Sequence, residues 1–388
     1  MTVPMPAAGA VPVADRFRRV AVIHEWLTIP GGSEKVVCAI LGLLPQAEVF
    51  TSIYDPEPWP DVITRRAVHT SFLNRLPGAS RHYRHLLPLM DAAFRSFDLS
   101  GFDLVVSSNH ACAKNVRTPA GALHICYCHT PMRYAWDPDF LEGEALGPVM
   151  RRVAPVATAW LRDVDRRRGA APDVFVANST FVATRIEQAY GRSSHVIHPP
   201  VEVAGLLEVE RDPGDAYLVF GRLVPYKRTD VAIRACERLG RKLIVAGAGR
   251  DLERLRRLAP AGTEFLGQVP AHDLPGLFAR ARGLLFPGLE DFGIVPVEAQ
   301  AAGLPVIAYG AGGVRDSVLD GRTGVLYEDG SVDGMCAAIE RFEELSLDDG
   351  ALRANATRFA PDRFDVAFSQ LLDSLTNSEK LTDTLRTR

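Results

Sequence analysis

What most constrains this chain is the regular alternation of short, almost wholly apolar runs with longer segments of helical periodicity. In the first half the runs are RRVAVIHEW, AEVFTSI, FDLVVSSN, LHICYCHT, DVFVANS and SSHVIHPP; in the second they are YLVFGRL, KLIVAGAG, TEFLGQV, GLLFPG, PVIAYGAGG and TGVLYED. A run that is apolar throughout suits a strand buried on both faces, and strands alternating with helices such as TDVAIRACERLG, HDLPGLFARAR and VPVEAQAAG imply a parallel sheet. At 388 residues the chain is long enough for two such units, each with its own core. The expected fold is therefore α/β, with two Rossmann-like domains whose sheets face each other across a deep cleft. The polar stretch EVERDPGDA divides them, giving a first domain over 1–205 and a second over 206–359. Ligands of such sheets bind beyond the C-terminal ends of the strands.

Composition narrows the class. With 47% hydrophobic and 23% charged residues the chain is neither disordered nor membrane-spanning, and its first twenty residues lack a secretory apolar stretch, so a cytoplasmic protein is expected. The six cysteines are scattered through apolar segments and read as reduced core residues. A net charge of −3 argues against nucleic acid as a partner. The charge is uneven, however: Arg65, Arg66, Arg75, Arg81, Arg84 and Arg95 face a single acid, Asp91, with three histidines interleaved. That stretch is either a solvated surface or a face that meets anionic lipid or a phosphate-bearing acceptor.

Four segments carry chemistry. In GLEDFGIVPVEAQAAGLPVIA, Pro296 suits the first turn of a helix whose free amides and positive pole favour a diphosphate. Glu298 inside that helix suits ribose hydroxyls, and Glu290 on the loop before it suits a sugar hydroxyl. In GRLVPYKRTD, Arg222 and Lys227 follow a strand and precede a helix expected to be capped by Thr229 or Asp230; two cations there stabilise a departing nucleoside diphosphate. In PGGSEK, Gly31 and Gly32 allow close approach to a phosphate, and Ser33 is placed to cap the next helix. In ICYCHTPMRYAWD, a strand delivers His129 to the cleft, with Met132, Arg133, Tyr134 and Trp136 as an acceptor wall. Each motif also has a structural reading: glutamates favour a helix start, basic residues are common in βα loops, and a histidine can be satisfied by backbone.

Several lookalikes are set aside. GAGRDL has Leu252 where a dinucleotide fingerprint needs its third glycine, and the HEWL segment at His24 lacks the second histidine of a zinc protease. Asp137 with Asp139, and Asp163 with Asp165, have the spacing of metal-dependent transferases, but neither pair follows a clear strand end.

Together these segments resemble retaining glycosyltransferases of family 4, which have the GT-B architecture, and within that family the bacterial mannosyltransferases that build O-antigen or exopolysaccharide from GDP-mannose. The resemblance runs from HEWLTIPGGSEKVV through HTPMRYAWD, VANSTFVATRIEQAYG and HPPVE to GRLVPYKRTD and GGVRDSVLDGRTGVLY. It implies a catalytic set of His129, Arg222, Lys227 and Glu290. It places Arg222 and Lys227 on the diphosphate and Glu298 on the ribose. Glu290 with Phe292, Gly293, Ile294 and Val295 would surround the donor sugar, Val269 would border the base, and Gly31 and Gly32 would approach from the first domain. Arg133, Tyr134 and Trp136 would meet a lipid-linked or oligosaccharide acceptor. The resemblance further implies that no metal is required, that the last helix, about 360–388, crosses back to the first domain, and that the protein can sit peripherally at the inner face of the plasma membrane. Alternatives are a UDP-sugar transferase, a nucleotide-sugar epimerase and a non-catalytic nucleotide-sugar-binding subunit. One departure stands out: relatives often carry glycine after the lysine, where this chain has Arg228.

Overall fold

A computed structural model describes residues 16–57, 59–137 and 148–377. It contains two separate parallel sheets. The first has strands β1 (Val20–His24), β2 (Glu48–Thr51), β3 (Val68–Thr70), β4 (Leu104–Asn109), β5 (Leu123–Cys128), β6 (Val174–Ala177) and β7 (His195–Val196), in the order 3-2-1-4-5-6-7. The second has β8 (Tyr217–Phe220), β9 (Leu243–Ala246), β10 (Glu264–Gly267), β11 (Leu284–Phe286), β12 (Val306–Tyr309) and β13 (Gly324–Tyr327), in the order 10-9-8-11-12-13. All twelve apolar runs in the sequence become strands; the one addition is β3, a three-residue edge strand too short and too exposed to show a pattern.

The apolar runs explain this arrangement. Every residue of β1, β4 and β5 is buried, as a central strand covered on both faces requires. Helices α1 (Gly32–Leu43), α2 (Pro148–Arg168) and α3 (Thr180–Tyr190) belong to the first lobe, and α4 (Thr229–Leu239) and α5 (Ile294–Ala301) to the second. The chain changes lobe near Val201, whose amide donates to the Phe359 carbonyl at 2.8 Å where the chain returns. Val201 and Val203 already pack with Phe292 and Val297 of the second lobe, so the crossing lies a few residues before the polar stretch that suggested a boundary at 205.

The last described helix, α6 (Pro361–Thr376), docks on the first lobe. Phe364, Phe368, Leu371 and Leu372 join the core cluster of α1 and β1, and Arg16 ties down the far end through Asp373 at 3.0 Å and Thr376 at 2.8 Å. Burying each of those side chains stabilises the lobe by about 1.5–3 kcal/mol before entropy is subtracted. A helix from the chain's end thus completes the core of its beginning, and the lobes are joined by two crossings.

Candidate functional site

In the second sheet the strand order reverses between β8 and β11, and a crevice opens beyond their C-terminal ends. A narrow pocket lies there, lined among others by Gly221, Arg222, Lys227, Thr229, Gly288 and Glu290. Lys227 is ion-paired with Glu290, both side chains mostly buried. The exposed Arg222 rests its guanidinium on the Tyr226 hydroxyl at 3.2 Å. Gly288 is glycine for a local reason: a Cβ would stand 2.8 Å from the Lys227 Cα, so a side chain would push the two loops apart.

Local geometry also explains the Arg228 departure. Arg228 has φ 52° and ψ 35°, the one non-glycine residue in the left-handed region among those described. Glycine takes that conformation without penalty, whereas an L side chain costs about 1–2 kcal/mol. Arg228 is also the residue preceding α4, which carries no side-chain cap, so neither Thr229 nor Asp230 caps it as expected. The tight turn that presents Lys227 leads directly into the helix.

The loop after β11 ends in Gly293, at φ 86°, and α5 starts behind it with no side-chain cap. Its first amides therefore remain available to an anion, as Pro296 in the first turn suggested. Val269, half-buried after β10, belongs to the same lobe's core. From the opposite lobe, Gly32 comes so close that a Cβ would sit 2.8 Å from Ile294 Cδ1. Gly31 has a different constraint: a Cβ there would meet Glu34 Oε2 at 3.0 Å. The glycine pair thus lets a carboxylate fold back and lets the lobes approach. Ser33 does not cap α1, because its hydroxyl donates to Glu34 at 2.9 Å and the N-cap position belongs to Gly31.

The first lobe contributes a buried polar network at the ends of β1, β4 and β5. Parallel pairing sets His24 beside Ser108, and the His129 amide donates to the Asn109 carbonyl at 2.8 Å. Ser108 Oγ lies 3.1 Å from His24 Nδ1 and 2.8 Å from His129 Nε2, while His24 Nε2 lies 3.1 Å from Glu34 Oε1. Burial, reinforced by His110 and His24, pushes His129 well below the ordinary imidazole range, so it is neutral at physiological pH. Burial alone would raise the Glu34 carboxyl, but the hydrogen bond and charge of His24 bring it down to about 2. Beneath them Glu25 accepts the backbone amides of His110, Ala111, Cys112 and Ala113 at 2.7–3.1 Å.

The expected acceptor wall separates into different environments. Arg133 crosses the cleft to pair with Asp291 and lies 5.4 Å from the Tyr226 ring. Burial opposes its charge, but Asp291 outweighs burial and raises its pKa. Arg185 reaches the same carboxylate at 3.2 Å. Met132 is buried in the first lobe's core, and Tyr134 packs half-buried against it. Trp136 is engaged within the first lobe: its indole N–H donates to Asp165 at 2.7 Å and Arg162 and Arg166 stack on its ring. Asp165 is also the buried partner of Lys114, and Asp163 pairs with Arg167 at 2.7 Å. Of the other Asp-x-Asp pair, Asp139 lies outside the described residues. Among the described residues no group of three or more histidines, cysteines or carboxylates is placed to hold a metal.

Motif reading missed Asp291, Tyr226, Arg185 and Lys35. Lys35 extends from α1 to Glu298 at 3.3 Å, a further salt bridge between the lobes on a different carboxylate from that used by Arg133 and Arg185. The one sequence signal for Asp291 was its place inside LEDFG; the others lie in segments where basic or aromatic residues are unremarkable.

Comparison with known proteins agrees with this geometry. A family model described as Glycosyltransferase Family 4 matches residues 30–204, and one described as Glycosyl transferases group 1 matches 209–361. A GDP-mannose-dependent alpha-(1-6)-phosphatidylinositol monomannoside mannosyltransferase of Mycolicibacterium smegmatis is 32% identical over 216 residues, 48% of this chain and 56% of that protein. A D-inositol 3-phosphate glycosyltransferase of Nocardia farcinica is 31% identical over 216 residues, 48% of this chain and 46% of that protein. The chain thus spans about half the length of these curated relatives. Among solved structures, Anabaena HepE in complex with UDP superposes with a TM-score of 0.66 at 18% identity, over 92% of this chain and all of that one. Sucrose-phosphate synthase from Thermosynechococcus elongatus gives 0.67 at 17%, over 92% and 99%. Two Rossmann-like lobes, a basic crevice at the second lobe's strand-order reversal and the two matching family models lead to one assignment: the chain belongs to family 4 of the glycosyltransferases and has the GT-B fold.

Proposed function

We propose that this protein transfers a hexose, mannose from GDP-mannose, to a lipid-linked or saccharide acceptor with retention at the anomeric carbon. The observation that carries the reading is the Lys227–Glu290 pair in the crevice, its glutamate on the loop that leads into the uncapped start of α5, where Gly32 of the other lobe approaches Ile294. A diphosphate entering there offers Lys227 a more highly charged partner than Glu290, and the exchange releases the carboxylate for a sugar hydroxyl. Arg222, Lys227 and the α5 amides then hold the charge that grows as the bond from C1 to phosphate breaks. These cations do the work that a metal does in other transferases.

Retention follows from a same-face displacement. The acceptor oxygen bonds to C1, the C1–phosphate oxygen bond breaks, and the acceptor proton passes to the departing phosphate oxygen. The motive for this route is that the nearby carboxylates have other partners: Asp291 two arginines and Glu298 Lys35, while Glu290, once released by Lys227, turns to a sugar hydroxyl. Trapping a glycosyl-enzyme adduct would overturn it. Mannose and GDP as donor parts are supported by the mannosyltransferase relative alone. Thermal shifts with GDP-mannose, other GDP-hexoses and UDP-hexoses test them, since a ligand that binds only the folded state raises its melting temperature. A shift confined to UDP-sugars removes GDP-mannose, and conversion of a nucleotide sugar without acceptor favours an epimerase.

Peripheral attachment to an anionic leaflet belongs to the same proposal. Within the basic stretch Phe72, Leu76 and Leu89 are exposed, as are Val156 and Trp160 on α2. Part of the basic charge is structural, since Arg66 is bound to the carbonyls of Leu41 and Val62. No helix among the described residues is long and apolar enough to cross a membrane. Failure to co-sediment with anionic vesicles at low salt would remove the membrane from the reading.

A further inference from the structure

The four side chains Glu34, His24, Ser108 and His129 form a single file of hydrogen bonds, anchored at one end and open at the other. The anchor is Glu34, an ionised carboxylate that accepts and cannot donate. His24 must therefore carry a proton on Nε2, 3.1 Å from Glu34 Oε1. When that is its one ring proton, Nδ1 is an acceptor and takes the Ser108 hydroxyl hydrogen across 3.1 Å. The serine oxygen is left with lone pairs and accepts from His129 Nε2 at 2.8 Å. A neutral His129 has only that one ring hydrogen, so its Nδ1 is a bare acceptor.

The ring is held where that acceptor is useful. Its backbone is fixed on both sides, by the amide bond to Asn109 and by Asn178 Nδ2 donating to the His129 carbonyl at 3.0 Å. The residue is half-buried with Nε2 taken by the serine, so the polar edge still accessible is Nδ1. The charged and titratable groups facing the file are Glu34 on α1, Glu25 after β1, His110 after β4 and Arg133 after β5. Glu25 is saturated by backbone amides and Arg133 by Asp291, which leaves Glu34 to orient His24.

We propose that His24 holds the Nε2 proton alone and that Glu34, His24 and Ser108 are positioning residues that lock His129 as the Nε2–H tautomer and so present its Nδ1 lone pair to a hydroxyl of the transferred sugar. The proposal rests on the hexosyl-transfer reading above. It deepens it by giving His129 a fixed polarity: it accepts a hydrogen bond. A hydroxyl at the right height is recognised, whereas a deoxy sugar leaves the lone pair without a donor. A second proton on His24 would turn the serine round and make His129 a donor.

Nitrogen-15 NMR of histidine-labelled full-length protein tests the tautomer without reference to activity. The expected result at neutral pH is an unprotonated Nδ1 and a protonated Nε2 on His129, with a mixture of both tautomers in Ser108→Ala. Kinetically, Ser108→Ala should lower kcat about fivefold to tenfold, one hydrogen bond's worth, with the donor KM nearly unchanged. Ser108→Thr, which keeps the hydroxyl, should recover most of the loss. Because a threonine methyl must fit among buried strand ends, Glu34→Gln serves as a second variant; its amide can donate to His24, and it too should mix the tautomers. A protonated Nδ1 in the unmodified, active transferase, or an unaltered tautomer in both Ser108→Ala and Glu34→Gln, overturns this proposal alone. The expected tautomer in a protein that transfers no hexose from any nucleotide sugar overturns the functional reading with it.

Discussion

The two sides of the cleft bind by different physical means. On the second lobe, Lys227 and Glu290 are opposite charges in a partly open crevice, satisfied by each other and able to exchange partners. On the first, His24, Ser108 and Glu25 are fully buried, and each is already bonded to a fixed neighbour. An exchangeable pair suits a highly charged ligand end, because a diphosphate replaces one strong interaction with another. A fixed network suits hydroxyl recognition, because direction decides a neutral hydrogen bond. Substitutions should therefore divide: stability suffers on the first lobe and turnover on the second.

The largest effect is expected where a first-lobe charge is left without its partner. Lys114→Met strands Asp165 in the core and should destabilise the protein by about 3–5 kcal/mol, seen as a large fall in Tm. A Tm near that of the unmodified protein would break the comparison. Next is the acid limb of stability. Because the folded Glu34 carboxyl lies at about 2 against an ordinary 4.5, its contribution is complete above pH 4.5 and is lost as pH falls towards 2. Its size is on the order of 3 kcal/mol. Glu34→Gln should remove this term, so unfolding curves of the two proteins should converge as pH drops from about 5 to about 2; parallel curves would mean that Glu34 is not held as described.

On the second lobe, Lys227→Ala should cost at least about a hundredfold in turnover, roughly 2.7 kcal/mol of transition-state stabilisation, while Tm falls less than in Lys114→Met because Glu290 keeps some access to water. Steady-state kinetics with calorimetry separates the two, and near-normal turnover takes Lys227 out of the site. The smallest effect is a gain: Arg228→Gly relieves a left-handed backbone and should stabilise the protein by up to about 1 kcal/mol in denaturant titration, with the phosphate loop intact. A loss instead would show that the Arg228 side chain contributes more than its backbone costs.

The second lobe was the more legible. Arg222, Lys227, Glu290 and Glu298 lie in two continuous segments, each a strand end followed by a loop and a helix, so local pattern alone puts them at the mouth of a sheet. The first lobe's network was legible only in part. His129 follows a clear strand, but its partners come from α1, β1 and β4, as far back in the chain as His24, and no local signal links Glu34 to Ser108. Trp136 shows the limit of composition: an aromatic in a loop suggests a binding wall, yet its indole N–H has a partner in Asp165.

Local pattern determined the elements, their alternation, the parallel sheets and the phosphate-facing motifs, because strand burial and helix starts depend on neighbours in sequence. Tertiary structure alone decided which lobe completes which. It brought α6 onto α1, Arg133 to Asp291 and Lys35 to Glu298, and it aligned His24 with Ser108 and His129. Such contacts depend on sheet register and on the separation of two bodies, and both are set by the packing of whole layers against each other.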